Sequence, residues 1–312
     1  MKKNTFLLLG YSHIAKKRII DVFIKNKIEF SIASKSHKEK IKKVKKQFSD
    51  YNDALVNSKA NIVYISLPNA LHFYWAKKAL LLGYHVIIDK PICNKLSETK
   101  KLIKIAKTNR KLLSEAIFYN YHNQIKRVIN IAGGKKAIKE IKVNFIIPMP
   151  NKNSLLMSKK FDGGAIMDMG PYASSIDRIF FDEKIKYLKI ESYKNRKNLP
   201  IGFEFCVNYQ KRQYTGLFKF GGDYINQVKF FTKTKEITLQ RVFSPPSDLD
   251  LNVNVIEDKS IKNYQVKKDN CFENYLLELL KKINQKNYSY YCKQIEQDHL
   301  FRDKIQKKFL RS

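Results

Sequence analysis

The sequence predicts an α/β protein with an N-terminal doubly wound parallel sheet of Rossmann type, followed by an α+β domain with an open antiparallel sheet. In the first third of the chain, short apolar strands alternate with helix-like segments, which is typical of βαβ units. After about residue 185, strand-like segments follow one another with turns between them, which indicates an antiparallel sheet. A length of 312 residues suits two domains, and we place them at residues 1–118 and 119–312.

Five strands are predicted in residues 1–118, each separated from the next by a helix. The strands are Thr5–Leu9, Glu29–Ala33, Asn61–Ser66, Val86–Ile88 and Leu112–Ala116. The helices run to about Lys25 and over Lys38–Phe48, Ala70–Leu82 and Ser97–Asn109. The second helix is predicted because Ile41, Val44 and Phe48 recur at spacings of three and four, which leaves the lysines facing solvent. Right-handed crossovers place the carboxyl ends of the parallel strands at one edge of the sheet.

The second domain is predicted to contain six strands and three helices. The strands are Lys139–Pro148, Ile185–Tyr193, Ile201–Tyr209, Gln213–Phe220, Asp223–Thr232 and Glu236–Arg241. The helices are Gly164–Phe181, Asn270–Asn284 and Tyr291–Phe309. The pair Gly221-Gly222 is a hairpin signal, and residues 151–160 and 245–259 are predicted loops.

Composition limits the class of partner. The net charge of +33 is typical of nucleic-acid binders, but the excess is nearly all lysine and is spread over the whole chain. We therefore predict no nucleic-acid partner, and the positive field suits an anionic small substrate. No apolar run is long enough for a membrane helix, so we predict no membrane partner.

Cysteine spacing indicates a reduced protein. The four cysteines are Cys93, Cys206, Cys271 and Cys292. They are far apart and form no Cys-x-x-Cys pair, so neither a disulfide framework nor a zinc site is indicated. We expect a cytoplasmic protein without a bound metal.

The turn after the first strand approximates the dinucleotide fingerprint G-x-G-x-x-G/A. Gly10 and Ala15 hold the first and third positions, and Ser12 replaces the second glycine. The small side chain of Ser12 is a mild replacement, and its hydroxyl can bond a phosphate. We expect Gly10, Ser12, His13 and Ile14 to bind a dinucleotide; the alternative is an ordinary strand-to-helix turn.

The end of the second strand indicates which nicotinamide cofactor is bound. An NAD-binding strand ends on an acid that bonds the ribose 2′-hydroxyl. Here the strand is followed by Ser34, Lys35 and Ser36, whose hydroxyls and ammonium suit a 2′-phosphate. We therefore predict NADP rather than NAD, with Ser34 and Lys35 as its ligands. The alternative is that Lys35 is one surface lysine among many.

The strand Val86–Ile88 ends on Asp89, Lys90 and Pro91. Charges at the carboxyl end of a buried strand are costly unless a ligand or partner uses them. In open α/β sheets, this edge is where ligands bind. We expect Asp89 and Lys90 to belong to a binding site; the alternative is a solvated strand end.

Five stretches together resemble the Gfo/Idh/MocA oxidoreductases, which act on sugars, inositols and related polyols with a nicotinamide cofactor. They are GYSHIA, SLPNALH, ALLLGYHVIIDKP, SEAIFYNYH and FDGGAIMDMGPYASSIDRIF. The resemblance covers essentially the whole chain. It departs from the usual Glu-Lys-Pro of the family, because Asp89 stands where the family has glutamate. The resemblance implies hydride transfer at a secondary carbinol of a sugar, a homo-oligomer and a cofactor contact by Leu67, Asn69 and His72.

The resemblance also implies the catalytic residues. Lys90 aligns with the family's lysine, and Asp168 with Tyr172 resembles the tyrosine branch, which includes glucose-fructose oxidoreductase, dihydrodiol dehydrogenase and nucleotide-sugar ketoreductases. A phenol is a poor acid–base group at neutral pH, but a nearby ammonium favours the phenolate. We expect Tyr172 to pass the proton, Lys90 to polarise the substrate oxygen and Asp168 to orient substrate hydroxyls or Lys90. The alternative for Tyr172 is a buried aromatic residue with a bonded hydroxyl.

Tyr119 and His122 lie in the segment that links the two domains, where the family often places substrate or cofactor contacts. We expect both to bind substrate; a structural role for His122 is an equal alternative. A different class of function also stays open, because some relatives on this fold are non-catalytic regulators that sense NAD(P).

Overall fold

The computed structural model describes residues 4–37, 39–41, 43–181 and 183–311. The chain divides into two compact units. The first contains the residues up to 116 together with 275–296, and the second contains 117–274 together with the residues from 297. The segment 275–296, which the sequence places in the C-terminal domain, thus belongs to the first compact unit. The functional division into 1–118 and 119–312 stays a prediction.

The first unit is built on a six-stranded sheet with the order β3-β2-β1-β4-β5-β6, in which every ladder is parallel. Its strands are β1 Thr5–Leu9, β2 Glu29–Ala33, β3 Gln47–Phe48, β4 Ile62–Ile65, β5 His85–Asp89 and β6 Leu113–Ala116. The central strands are buried on both faces, as continuous apolar runs require. This strand order is that of a Rossmann fold and confirms the predicted fold class.

Helices connect these strands. They are α1 Ile20–Lys25, α2 Tyr51–Asn57, α3 His72–Leu81 and α4 Leu96–Thr108. A π-helical turn over Ala15–Ile19 leads directly into α1. The predicted helix to about Lys25 therefore forms, but its first part is wound more loosely than an α-helix.

The predicted helix over Lys38–Phe48 is wrong for the described residues of that segment, since Lys38 and Lys42 lie outside them. The backbone pairs with the neighbouring strand instead: Ile32 N donates to Lys46 O at 3.0 Å. Phe48 is buried because it lies in β3, so its spacing from Ile41 was not helical periodicity.

The helix in this region begins later, at α2. Asp50 is its N-cap, and the carboxylate accepts hydrogen bonds from the backbone N–H groups of Asn52 and Asp53. An aspartate in this position satisfies two N–H groups that have no partner within the helix. The sequence signal for α2 was therefore a cap rather than a long apolar repeat.

The second unit is built on an eight-stranded sheet with the order β14-β13-β12-β11-β7-β10-β9-β8. Its strands are β7 Glu140–Ile147, β8 Tyr187–Lys194, β9 Pro200–Asn208, β10 Gln213–Phe220, β11 Ile225–Phe231, β12 Lys235–Gln240, β13 Leu251–Glu257 and β14 Ser260–Val266. All neighbours are antiparallel except β7 and β10, which run parallel from Gln213↔Glu140 to Phe220↔Ile147. The predicted open antiparallel sheet is confirmed, with this one parallel pair inside it.

The predicted loop over residues 245–259 is wrong over Leu251–Glu257, which form the strand β13. β13 and β14 form a hairpin whose register runs from Leu251↔Val266 to Glu257↔Ser260. In β13, buried Val253 and Val255 alternate with exposed Asn252 and Asn254. Asparagine is unfavourable in strands, so the outward-facing residues concealed the period of two.

The remaining helices are α5 Asn123–Ala132, α6 Ala165–Phe180, α7 Cys271–Asn284 and α8 Ser289–Arg311. In the second unit, α6 packs on β9 and β10, and α5 packs on β12, β13 and β14. Alternate residues of these strands, such as Tyr214 and Phe218, are fully buried beneath them. Among the described residues, no helix combines the length and apolar character needed to span a membrane.

Candidate functional site

Three adjacent strands of the first unit end on side chains that bond to one another. The hydroxyls of Ser12 and Ser66 lie 2.6 Å apart, which joins the turn after β1 to the end of β4. Ser66 Oγ lies 2.5 Å from Asp89 Oδ2, and the hydroxyl of Tyr64 donates to the other oxygen of Asp89. The predicted residues Ser12 and Asp89 are thus brought together through Ser66.

Asp89 occupies a low-polarity environment. Burial raises the pKa of its carboxyl, and the hydrogen bonds from Ser66 and Tyr64 and the nearby charges of His72 and Lys90 oppose this shift. Burial next to Asp89 also raises the pKa of Tyr64, so its hydroxyl stays a donor. Lys90 is half-buried and directly follows this carboxylate at the carboxyl edge of the sheet.

His72 lies beneath the same edge and is fully buried. Its Nδ1 lies 2.7 Å from the carbonyl oxygen of Pro91, and its Nε2 lies 2.8 Å from the carbonyl oxygen of Leu67. Carbonyl oxygens only accept hydrogen bonds, so each ring nitrogen of His72 faces an acceptor. His72 therefore holds together the loops that follow β4 and β5, and its predicted contact with cofactor would be indirect.

The glycine turn after β1 leaves no space for a side chain. Gly10 has φ +97°, and a Cβ there would lie 2.1 Å from the carbonyl oxygen of Ser66. The hydroxyl of Ser12 accepts a hydrogen bond from Ala15 N at 3.1 Å, in addition to its contact with Ser66. The predicted residues His13 and Ile14 are exposed on the same turn. This narrow turn, which opens a helix, fits the pyrophosphate of a dinucleotide.

The end of β2 lies next to this turn, because Gly10 N donates to Ala33 O at 2.9 Å. Ser34 is buried, and its hydroxyl accepts from His37 N at 3.1 Å. Lys35 is exposed, and its ammonium lies 5.3 Å from the centre of the Tyr51 ring. A cation is therefore present where the ribose of a bound dinucleotide would lie.

Two further predicted residues, Leu67 and Asn69, are half-buried in the loop after β4. Sequence reasoning missed their neighbours Ser66 and Tyr64, and also Glu115, whose buried carboxylate accepts from Ile92 N at 2.9 Å. Ser66 and Glu115 both lie inside recognised motifs, so a signal for them existed. Among the described residues, no group of His, Cys, Asp or Glu side chains is arranged to hold a metal ion.

In the second unit, α6 carries Asp168 in its first turn and Tyr172 one turn later. Both are half-buried. The ring of Tyr172 contacts the rings of Tyr119, Phe145 and Phe243, with centroid distances of 5.9, 5.6 and 5.0 Å. Residues i and i+4 share a helix face, so Asp168 and Tyr172 are presented together.

Tyr119 and His122 are both almost fully buried. The Tyr119 hydroxyl lies 2.7 Å from Ser175 Oγ on α6, and burial raises its pKa. His122 is the N-cap of α5, where its Nδ1 accepts from Gln124 N at 3.2 Å, and burial lowers its pKa. The structure gives each a partner within the fold, and direct contact with substrate stays a prediction for both.

A further carboxyl on α6 is strongly perturbed. Asp177 accepts a hydrogen bond from the hydroxyl of Tyr209, and burial raises its pKa to about 7. The neighbouring Arg178 instead pairs with buried Asp298 at 2.9 Å. Asp177 therefore holds a proton under mildly acidic conditions because its environment is apolar.

The part of the sequence that forms the parallel sheet of the first unit matches a known class of protein. Residues 5–117 match the sequence profile of the Gfo/Idh/MocA group, described as an oxidoreductase family with an NAD-binding Rossmann fold. This match confirms, over residues 5–117, the resemblance that the motifs indicate.

Two proteins with related sequences are named as enzymes that convert sugars. The chain is 24% identical over 202 residues to dTDP-3,4-didehydro-2,6-dideoxy-alpha-D-glucose 3-reductase of Actinomadura kijaniata. This alignment covers 63% of the chain and 60% of the relative. It is 29% identical over 135 residues to D-xylose 1-dehydrogenase (NADP(+)) 2 of Haloferax volcanii. That alignment covers 43% of the chain and 42% of the relative. The chain thus matches about 60% or less of the length of these relatives.

Solved structures share the fold over nearly the whole chain. A 3-ketoreductase from Actinomadura kijaniata, in complex with NADP and TDP-benzene, superposes with a TM-score of 0.87 at 19% identity and 98% coverage of both chains. An aldose-aldose oxidoreductase from Caulobacter crescentus, complexed with glycerol, superposes with a TM-score of 0.83 at 13% identity and 98% coverage of both chains. At these low sequence identities, the structural similarity establishes the fold alone.

The raised pKa of Asp177 predicts a pH dependence of stability. Its carboxyl has a pKa of about 7 in the folded state, against 3.8 ordinarily, so between these values the folded state holds a proton that the unfolded state has released. The free energy of unfolding contributed by this group therefore falls as pH rises from about 4 to about 7. We expect Asp177→Asn to remove this decline, as measured by urea denaturation across that range.

The exposed Asp21→Asn on α1 is the matched control, and it should keep the pH dependence of the parent protein. An Asp177→Asn variant whose stability still declines as steeply as the parent's would contradict the assignment.

Proposed function

We propose that the protein is an NADP-dependent oxidoreductase that transfers a hydride between the nicotinamide and a secondary alcohol or ketone of a sugar or sugar derivative. The observation that carries this proposal is the bonded end of β5, where Asp89 is held by Ser66 and Tyr64 directly before Lys90. A half-buried, hydrogen-bonded carboxylate next to an ammonium at the carboxyl edge of a parallel sheet is typical of a binding site. The match of residues 5–117 to an oxidoreductase family supports the reaction class.

The first unit fits a nicotinamide dinucleotide. Gly10 and Ser12 would hold its pyrophosphate, Ser34 and Lys35 its 2′-phosphate, and Leu67 with Asn69 its nicotinamide ribose. The absence of space for a Cβ at Gly10 supports this fit, because backbone can then approach the phosphates closely. When bound, the reduced cofactor supplies the hydride.

Three side chains of this protein act on the substrate. Lys90 donates a hydrogen bond to the oxygen of the reacting carbinol or carbonyl. Tyr172 gives the proton to that oxygen in reduction and removes it in oxidation. Asp168, on the same face of α6, accepts hydrogen bonds from hydroxyl groups of the substrate.

We further propose a nucleotide-linked sugar as substrate. The name of one relative supports this class, since that relative is a 3-reductase of a dTDP-linked sugar. The net charge of +33 supports it independently, because a positive field concentrates an anionic diphosphate near the protein.

Replacement of Lys90 tests the catalytic proposal. We expect Lys90→Ala to lower kcat by about 10²- to 10⁴-fold, the range typical of lost proton-transfer assistance, while NADPH binding changes little. Turnover is followed through the absorbance of NADPH with a panel of dTDP-linked ketosugars and free sugars, and binding through NADPH fluorescence. Lys95→Ala, at an exposed neighbouring lysine, is the matched control and should retain full activity.

Undiminished turnover in Lys90→Ala would refute the role of this lysine. NADPH binding by the parent protein without turnover of any sugar in the panel would instead favour the non-catalytic cofactor sensor.

Replacement of Lys35 tests the choice of cofactor. A charge-assisted hydrogen bond contributes about 1.5–3 kcal/mol, so we expect Lys35→Ala to weaken NADPH binding by about tenfold or more. NADH lacks the 2′-phosphate, and its affinity should not change. Fluorescence titrations with both cofactors measure the difference, with exposed Lys40→Ala as control. Equal losses for NADPH and NADH would contradict a contact with the 2′-phosphate.

We also propose that the protein forms a homo-oligomer through the sheet face of the second unit that lies opposite α5 and α6. This face presents half-buried Thr215 and Leu217 beside exposed Lys142 and Asn144. A homodimer pairs the same patch of two copies, and half-buried Leu217 gives this face an apolar contact residue.

Light scattering coupled to gel filtration tests this interface. We expect the parent protein to elute as a dimer or tetramer and Leu217→Lys to dissociate it, because a buried unpaired ammonium destabilises the contact. Leu81→Lys places the same change on an exposed position of α3 and should leave the mass unchanged. A monomeric parent protein would refute the proposal.

A further inference from the structure

The phenol of Tyr172 is packed among aromatic rings that fix its direction. Phe145 meets it nearly edge-on, with an interplanar angle of 79°, and Tyr119 at 60°. Phe243 makes the shortest of the three contacts, at 5.0 Å and 35°. A ring enclosed in this way loses the freedom to rotate about its side-chain bonds.

Phe243 does not belong to a helix or strand, so something else must hold it. It lies in the irregular segment that follows β12 and is only 5% exposed. Asn226 on β11 accepts a hydrogen bond from Phe243 N at 3.0 Å and donates to Ser244 Oγ at 2.9 Å. Gln124 on α5 donates to the carbonyl oxygen of Val242 at 3.2 Å.

The two amides that hold the segment are themselves buried. Gln124 is 0% exposed and Asn226 is 2% exposed. A buried amide is costly unless it is hydrogen-bonded, so these contacts favour one position of the backbone around Phe243. The segment is therefore fixed although it has no regular secondary structure.

Phe243 also connects the other members of the aromatic group. Its ring meets Tyr119 at 5.0 Å and 85°, and Phe145 at 5.0 Å and 44°. Loss of this ring would leave space against all three partners at once, so Tyr172 would gain room on the side where its contact is closest.

We propose that Phe243 is a positioning residue that holds the phenol of Tyr172 in the direction required for proton transfer, an inference that rests on the function proposed above. Phe243 has no polar side-chain atom and takes no part in the proton transfer. It acts by limiting the rotation of Tyr172, and Asn226 and Gln124 act by holding Phe243. A misplacement of about 1 Å in a reacting group can lower a rate about 10²-fold, so this packing is expected to affect kcat.

The experiment compares Phe243→Leu with Phe230→Leu. Phe230 on β11 is a fully buried phenylalanine whose ring contacts Phe180, so the control removes an equivalent ring elsewhere. We expect Phe243→Leu to lower kcat by about 10- to 100-fold with little change in KM for NADPH. We also expect a shift of the pH profile of kcat, while Phe230→Leu lowers stability alone. Phe243→Tyr, which retains the ring, should restore kcat.

A role limited to core packing would give Phe243→Leu and Phe230→Leu the same kinetics and pH profile, and this result would overturn the proposal. A second readout does not depend on turnover. With 3-fluorotyrosine at position 172, the ¹⁹F resonance should broaden or shift in Phe243→Leu and stay unchanged in Phe230→Leu. An unchanged resonance in both variants would also overturn it.

These results are distinguishable from failure of the proposed function. If Tyr172→Phe retains full turnover, the proposed proton donor is wrong. The fluorine spectrum then still reports whether Phe243 orders the ring. If Tyr172→Phe is inactive and Phe243→Leu behaves as the control does, the proposed function stands and the positioning role falls.

Discussion

The carboxylate of Asp89, which accepts hydrogen bonds from Ser66 and Tyr64, is the interaction on which the edge of the first sheet depends. Removing a charged carboxylate from water without hydrogen-bond partners would cost several kcal/mol. The hydrogen bonds to Asp89 therefore hold the carboxyl ends of β4 and β5 next to each other. Ser66 in turn contacts Ser12, which extends the same constraint to the turn after β1. Lys90 follows directly from this point, and its backbone is therefore placed by a bonded network rather than by a free loop.

The second unit orders its candidate residues by different means. Tyr172 is packed among aromatic rings, and the residues that surround it form hydrogen bonds with Ser175 and Asn226. Apolar contacts are weak individually, but they add up around a large ring. In the first unit, the position of Asp89 therefore depends on hydrogen-bond geometry. In the second unit, the position of the Tyr172 ring depends on the volumes of the side chains around it.

Much of the fold could be predicted from the sequence. β1 and β2 were located to the residue because buried parallel strands form nearly continuous apolar runs, and β10 because its buried residues alternate with half-buried ones. The hairpin β13–β14 was missed because its outward asparagines are poor strand formers. The motifs located the candidate site, but they did not reveal which members are buried. His72, Tyr119 and His122 all lie beneath the surface, since a side chain's partners depend on segments distant in sequence. Phe243 carried no signal at all, because its contacts arise only after β12 and α6 have packed.

The parallel pair of β7 with β10 has a consequence for the order in which the second unit assembles. Glu140 pairs with Gln213, so the middle of the sheet joins segments separated by a helix and two further strands. Closing so long a loop carries an entropic penalty before any contact compensates for it. During synthesis, β7 therefore waits with an unpaired edge until β10 has left the ribosome, and this interval is when the nascent chain is most exposed to misassociation.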